Sequence, residues 1–450
     1  MSRRRTREQD GAHRTRSQMT RYLAFLAIAA LVLAACGGGG GGEEEESSDG
    51  GSETAGGENV TIVAWFNGET VPSEEFAALE EQGITVEVDI RGDAILTDML
   101  RMRDAGEKLP DLVEIDSNLT PAFIEADLLA PMTEQNATWE EEDAELYETI
   151  PPSVWEDGTY DGELMHIPNK SLVDALYYNI KLFDEAGVDP PPYDSYDELL
   201  QATLDLKKAN PDLPAYYATG GTSPDRMYRF ARGFGVPFEG SEENIPQFTT
   251  PQGIEMLTWL KAMFDEGITN PEFVVGENDE APGAFVAGEL PLLEEGINNG
   301  GAFMLDDFVY DEDWATAPTT INEEGTYNGV PRGWSMAKDA EHPYEASLVV
   351  RHLMSPEIAE ERYLELESGV VQSIPVLEGD ALKEAQPFFT PELIEIFRNL
   401  EAQIPPGTTT AQVAELMGQL KEEVSVTGTD ESPEEIAERY QAEFDAIDEG

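Results

Sequence analysis

The 450-residue chain contains one cysteine, nine lysines and four histidines. A single thiol excludes an internal disulfide framework and any thiolate-rich zinc site. Basic side chains are outnumbered 92 to 27 by acidic ones, for a formal net charge of −65. A surface this negative repels phosphodiesters and anionic headgroups, so nucleic acid is not an expected partner. Past residue 36 no apolar run reaches the ~20 residues that a membrane-spanning helix requires. Catalytic signatures are missing too: the chain has no Gly-x-Ser-x-Gly, no His-Glu-x-x-His and no Walker loop. No catalytic residue, metal site or cofactor is expected. What the chain does have is 15 Tyr, 18 Phe and 6 Trp spread along its length. Those aromatics argue for packed cores against the disorder that acidity alone suggests, and the length favours two or three domains. The charge reads as adaptation to strong salt, where the Debye length falls to about 3 Å at 1 M. The competing reading is an ordinary acidic protein in ordinary salt.

The lone Cys36 has an informative setting. Seven arginines lie ahead of Leu23, followed by the apolar run "YLAFLAIAALVLAA", about as long as a signal-peptide core. Leu33-Ala34-Ala35-Cys36 then resembles the lipobox of secreted lipoproteins, in which the peptide is cut before a cysteine that carries lipid. Residues 1–35 are therefore expected to be a signal peptide and Cys36 a lipid anchor. Arg3, Arg4 and Arg5 point to twin-arginine export but lie far from the apolar core, which leaves the route open. Residues 36–58, rich in Gly, Glu and Ser, form a self-repelling tether of roughly 25 Å or more. The working body is expected from Asn59 onward, on the extracellular face of the cytoplasmic membrane.

That body alternates strand and helix signals. "NVTIVAWF" (59–66), "ITVEVDI" (84–90) and "PDLVEID" (110–116) read as strands. "PSEEFAALEEQG" (72–83) and "AILTDMLRMRDAG" (94–106) read as helices with glycine stops. This βαβαβ order implies a parallel α/β sheet with ligand sites beyond the carboxyl ends of its strands. A polyhydroxylated ligand needs aromatic planes for its C–H faces and paired polar groups for its hydroxyls. Trp65 and Asn67 after the first strand, and Asp116 and Ser117 after the third, meet both conditions. For Trp65 the competing role is core packing, and for Asp116 a strand-end turn. Arg226, in "TSPDRMYRF", is placed to reach a hydroxyl or a carboxylate.

The stretch "ALYYNIKLFDEAGVDPPPYDSYDELLQATLDLKKA" (175–209) resembles family 1 of the extracellular solute-binding proteins. These are receptors of carbohydrate ABC importers and include the maltose-binding proteins. "GEKLPDLVEID", "DGELMHIP", "GAFVAGELPLLEEG", "RGWSMAKDAEHPYEASLVVRHLMSPE" and "SGVVQSIPV" keep the family's order. Ile180, where the family often has lysine, and "GELPLL", where it often has Gly-Lys-Ala-Ala-Met, depart from it. The resemblance implies a two-lobed α/β fold of the type II periplasmic-binding-protein kind, with an interlobe cleft and three hinge crossings. It places residues 59–168 with 335–372 in one lobe and 169–330 with 376–450 in the other. It also implies ligand contacts from Lys170 and Asp174 past the first crossing, from the loop at Asn298 and Asn299, and from Trp334 as a stacking ring. The function implied is capture of a small-molecule solute, a sugar above all, by a lipid-anchored monomer that delivers it to ABC permease subunits.

The alternative is a secreted glycoside-acting hydrolase on the same tether, since carboxylates are abundant. It lacks any assembled nucleophile and base, and His166, before a proline, reads as packed. "DDFVYDED" (306–313) lacks the alternation of a calcium loop. The acidic tail "DESPEEIAERYQAEFDAIDEG" reads as the solvated face of a closing helix.

Overall fold

Strict alternation of inward residues sets the two faces of the first strands. Ile62, Ala64 and Phe66 pack into one buried cluster, while Trp65 joins another on the opposite side. A pleated strand produces this split when both faces of its sheet are covered. The computed structural model describes residues 59–448 apart from 68–75, 151, 219–223, 240–244, 271–279, 306, 324, 326–328, 361–369, 372–373 and 399–410. The leader, Cys36 and the tether lie outside the described residues.

In chain order the strands are β1 (Val60–Phe66), β2 (Ile84–Ile90), β3 (Leu112–Asp116), β4 (Leu129–Ala130), β5 (Thr159–Tyr160), β6 (Glu163–Leu164) and β7 (Ile167–Asn179). They continue as β8 (Tyr216–Ala218), β9 (Phe238–Glu239), β10 (Ile245–Pro246), β11 (Leu292–Gly296), β12 (Trp314–Pro318), β13 (Gly329–Ala337) and β14 (Val370–Val371). The main sheet runs β2-β1-β3-β13-β7-β11-β8, with β12 and β14 paired to β7 and β4 to β13. β1 pairs in parallel with β2 and β3, as the βαβαβ pattern requires. β11 and β8 are likewise parallel.

β7 is the long strand, and its partners change along its length. Ile167 to Val173 pair with β13, whereas Asp174 to Tyr178 pair with β11 and Ala175 to Asn179 with β12. β14 adds to the early part, at Lys170 and Ser171. The buried clusters divide in the same way. Two draw only on residues 62–167 and 334–354, and two only on residues 173–317 and 382–444. The architecture is a mixed α/β fold of two lobes.

A matched unit recurs in the two lobes. β3, the 3-10 turn Ser117–Leu119 and helix Thr120–Glu125 have the same order as β11, the turn Ile297–Asn299 and helix Gly300–Phe303. Aligned position for position, residues 111–123 and 291–303 share Leu112 with Leu292, Glu114 with Glu294, Asn118 with Asn298, Ala122 with Ala302 and Phe123 with Phe303. Phe123 and Phe303 are both buried beneath their turns.

Local chemistry sets the helix ends that flank these strands. The Asn179 side chain closes β7 by accepting a 3.0 Å hydrogen bond from the Leu182 amide, and Gly187 at φ 67° ends that helix. Only glycine adopts such a left-handed stop at little cost. Helix Tyr196–Ala209 is capped by Ser195, with Asp197 and Glu198 in its first turn and Lys207 and Lys208 in its last, each sign matched to the helix dipole. The expected helix at 72–83 is described only as Ala77–Glu80. The closing helix Pro433–Asp448 is not simply a solvated face. Ile436, Ala437, Tyr440 and Phe444 are buried, because an amphipathic period lies beneath its acidic residues.

Candidate functional site

Strand register brings the polar residues together. Asp116, the carboxyl end of β3, lies opposite Arg332 of β13, which in turn lies opposite Lys170 of β7. Gly296, the carboxyl end of β11, lies opposite Asp174 of β7. The strand ends of the two lobes thus converge on one stretch of β7, between Lys170 and Asp174. At about 3.3 Å per residue that stretch spans roughly 13 Å. In open α/β sheets, ligands bind beyond carboxyl ends where strand order switches.

On the first-lobe side, the Arg332 guanidinium grips Asp116 at 2.5 and 3.3 Å and donates to the Asn67 carbonyl at 3.2 Å. Glu114, fully buried, accepts from the Asn67 amide at 3.1 Å and pairs with the Lys170 ammonium at 3.2 Å. The Ser117 hydroxyl is buried beside them and makes no hydrogen bond among the described residues.

On the second-lobe side, Arg226 bridges Asp174 at 2.7 Å and Glu294 at 3.1 Å, and Arg229 also pairs with Asp174. Tyr216 donates its hydroxyl to Glu294 at 2.7 Å. Burial opposes charge on Asp174, but the two guanidiniums outweigh it and hold this carboxyl below its ordinary value. Burial wins at Glu294 and raises it. Arg229 is the member open to solvent, with 18% of its side chain exposed. Each lobe thus places a buried glutamate from the matched unit, Glu114 or Glu294, against a buried cation.

Two of the expected contacts are corrected. Trp334 is 0% exposed, packed edge-on to Phe66 at 4.6 Å and opposite Glu114 in register. Two positions further along β13 than Arg332, it lies inside the first lobe's core, where no ligand can stack. Trp65, 4% exposed, packs in the other core of that lobe with the Arg91 guanidinium 4.5 Å from its ring. Asn67, Asp116, Ser117, Lys170, Asp174 and Arg226 all lie in the two polar clusters. Asn299 is partly exposed in the turn after β11. Asn298 shares that turn, but its side chain is outside the described set. The sequence reading missed Glu114, Arg229, Glu294 and Arg332. A signal for the cations was available: only eleven arginines follow residue 22, and three of them converge here.

His166 is fully buried, with Nδ1 3.0 Å from the Ser335 hydroxyl, and burial pulls its pKa down to about 3. Both the neutral ring and the Ser335 beside it are fully buried, as the packed reading of His166 expects. Among the described residues no group of three or more His, Cys, Asp or Glu is placed to hold a metal, and no helix is long and apolar enough to cross a membrane.

Two lobes sharing a strand, with paired polar clusters at the converging strand ends, define a ligand-binding protein of the two-lobed receptor class. Residues 67–360 match the model of the bacterial extracellular solute-binding proteins, and the chain belongs to that family. Its members are binding proteins and not enzymes. A putative binding protein of Brucella abortus is 23% identical over 53% of this chain. That match spans 57% of the relative's length, a little over half. The sn-glycerol-3-phosphate-binding periplasmic protein UgpB of Salmonella typhimurium is 27% identical over 29% of this chain and 30% of its own. Among solved structures, the cyclic alpha-maltosyl-1,6-maltose binding protein of Arthrobacter globiformis superposes with a TM-score of 0.68 at 18% identity. That match covers 86% of this chain and 99% of the other.

Proposed function

We propose that the protein is an extracytoplasmic receptor of an ABC importer that captures a neutral polyhydroxylated solute, a sugar above all. The observation that carries this reading is charge compensation. Arg332 faces Asp116, Lys170 faces Glu114, and Arg226 and Arg229 face Asp174 and Glu294. Carboxylate–cation pairs of this kind offer acceptors and donors side by side, the pattern that sugar hydroxyls require. They leave little surplus positive charge for a phosphate. The buried Ser117 hydroxyl adds a donor whose partner a ligand would supply. In this reading β7, β13 and β14 are the hinge, and the lobes, 59–168 with 335–372 and 169–330 with 376–450, close on the ligand. Lipid on Cys36 keeps the receptor at the membrane face beside its permease subunits.

A melting-temperature screen against neutral sugars, polyols and glycerol phosphate tests the reading. A ligand at 100 times its dissociation constant adds about 2.7 kcal/mol of stability, a rise of about 3 °C in a chain of this size. A neutral sugar that raises the melt of the wild type but not of Arg229→Met supports it. A response to glycerol phosphate alone would replace the sugar with an anionic solute, and consumption of a sugar would revive hydrolysis.

A further inference from the structure

Behind the second-lobe cluster is a cavity of about 40 Å³, lined by Tyr216, Arg226, Trp259, Met263, Lys421 and Ser425 among others. One water needs roughly 10–15 Å³, so a chloride-sized ion has room. Lys421 lies in the last turn of the helix Ala411–Glu422, and the wider π turn Glu423–Thr427 carries Ser425 to the same wall. Lys421 is 4% exposed, and its ammonium makes no hydrogen bond among the described residues. The charges that act on it are Arg226 and Arg229, both cations. Those two are committed to Asp174 and Glu294. Glu295 also acts on Arg226, so three cations stand with three carboxylates, yet none of these carboxylates hydrogen-bonds to the Lys421 ammonium among the described residues. Glu295, next along β11, spends its carboxylate on the Gly296 amide.

An isolated ammonium in an apolar wall is costly. Burial first, then the two guanidiniums, pull the Lys421 pKa down to about 7. Loss of the proton removes the charge but leaves an amine without hydrogen-bond partners. An anion satisfies both needs at once.

We propose that this cavity is a halide site, in which one chloride-sized anion is held by the Lys421 ammonium, the field of Arg226 and the Ser425 hydroxyl. The bound ion supplies the partner that the buried Lys421 ammonium lacks among the described residues. The site is independent of which solute binds at β7.

The test uses two measurements on the intact protein. Melting temperature is followed at constant ionic strength as chloride replaces gluconate, for the wild type and Lys421→Met. Crystals grown in bromide are examined for anomalous scattering. A rise of about 2 °C per tenfold chloride above the dissociation constant is expected in the wild type and not in Lys421→Met. A bromide peak is expected within hydrogen-bond reach of Lys421. Should Lys421→Met fail to fold, Ser425→Ala is expected to shift the chloride dependence several-fold to higher concentration. Equal responses of wild type and variant, no response at all, or bromide only at other positions would overturn the proposal.

Discussion

Position 334 shows how one residue's role turns on two positions of strand register. Arg332 and Trp334 share a face of β13, yet the first reaches Asp116 at the strand end and the second sits beside Phe66 in the core. Trp334→Ala should therefore cost about 3–5 kcal/mol through the cavity it leaves, measured by urea unfolding. Solute affinity of the folded fraction should remain unchanged; a stacking ring would give the reverse pattern. His166 is expected to control acid sensitivity. Its folded pKa of about 3 lies below the unfolded value near 6.5, so its neutral form contributes stability above that value, which is lost as pH falls. Between pH 8 and pH 5 the loss is about 2 kcal/mol, and denaturant titration of His166→Gln should show a correspondingly flatter profile. At this scale the sequence revealed polar residues after strand ends, because period-2 patterning locates those ends. It did not reveal which aromatic faces the ligand, since Trp65 and Trp334 differ from ligand contacts only by depth along a strand.

Among the elements, β13 and β7 approach each other closely at Gly333. A Cβ at Gly333 would lie 2.1 Å from the Ile167 carbonyl oxygen and 2.5 Å from the Pro168 Cα. The register between the strands shifts at this point, skipping Asn169. Such a bulge turns the strand that carries the extra residue and re-aims its side chains, here on β7 between the core residue Ile167 and the site residue Lys170. Gly333→Ala should force the two backbones apart, lowering stability by about 2–4 kcal/mol in thermal or urea melts and weakening solute binding as well. An unchanged melt would show that the strands yield freely. β1, β2, β3 and the helix Ile95–Ala105 were legible because each pairs a clear period with a turn or glycine stop. The change of partners along β7 was not, because pairing between distant strands leaves no local periodicity.

For the whole molecule the dominant quantity is the formal net charge of −65. Like charges at this density oppose compaction, and salt screens them, with the Debye length falling from about 10 Å at 0.1 M to 3 Å at 1 M. The melting temperature should climb steeply over that range of potassium chloride, a trend read by calorimetry. A flat dependence would mean that the acidic surface is spread widely enough to carry its charge in dilute buffer.

The thirteen-residue β7 belongs to both halves of the sheet. Melting either lobe would strip the other of its central strand, so the interface between them acts as a cooperative joint and not as a boundary. Heat should take both lobes in one endotherm, with calorimetric and van 't Hoff enthalpies in agreement. A protein built this way should offer a protease either the whole fold or the whole unfolded chain, and not one lobe at a time.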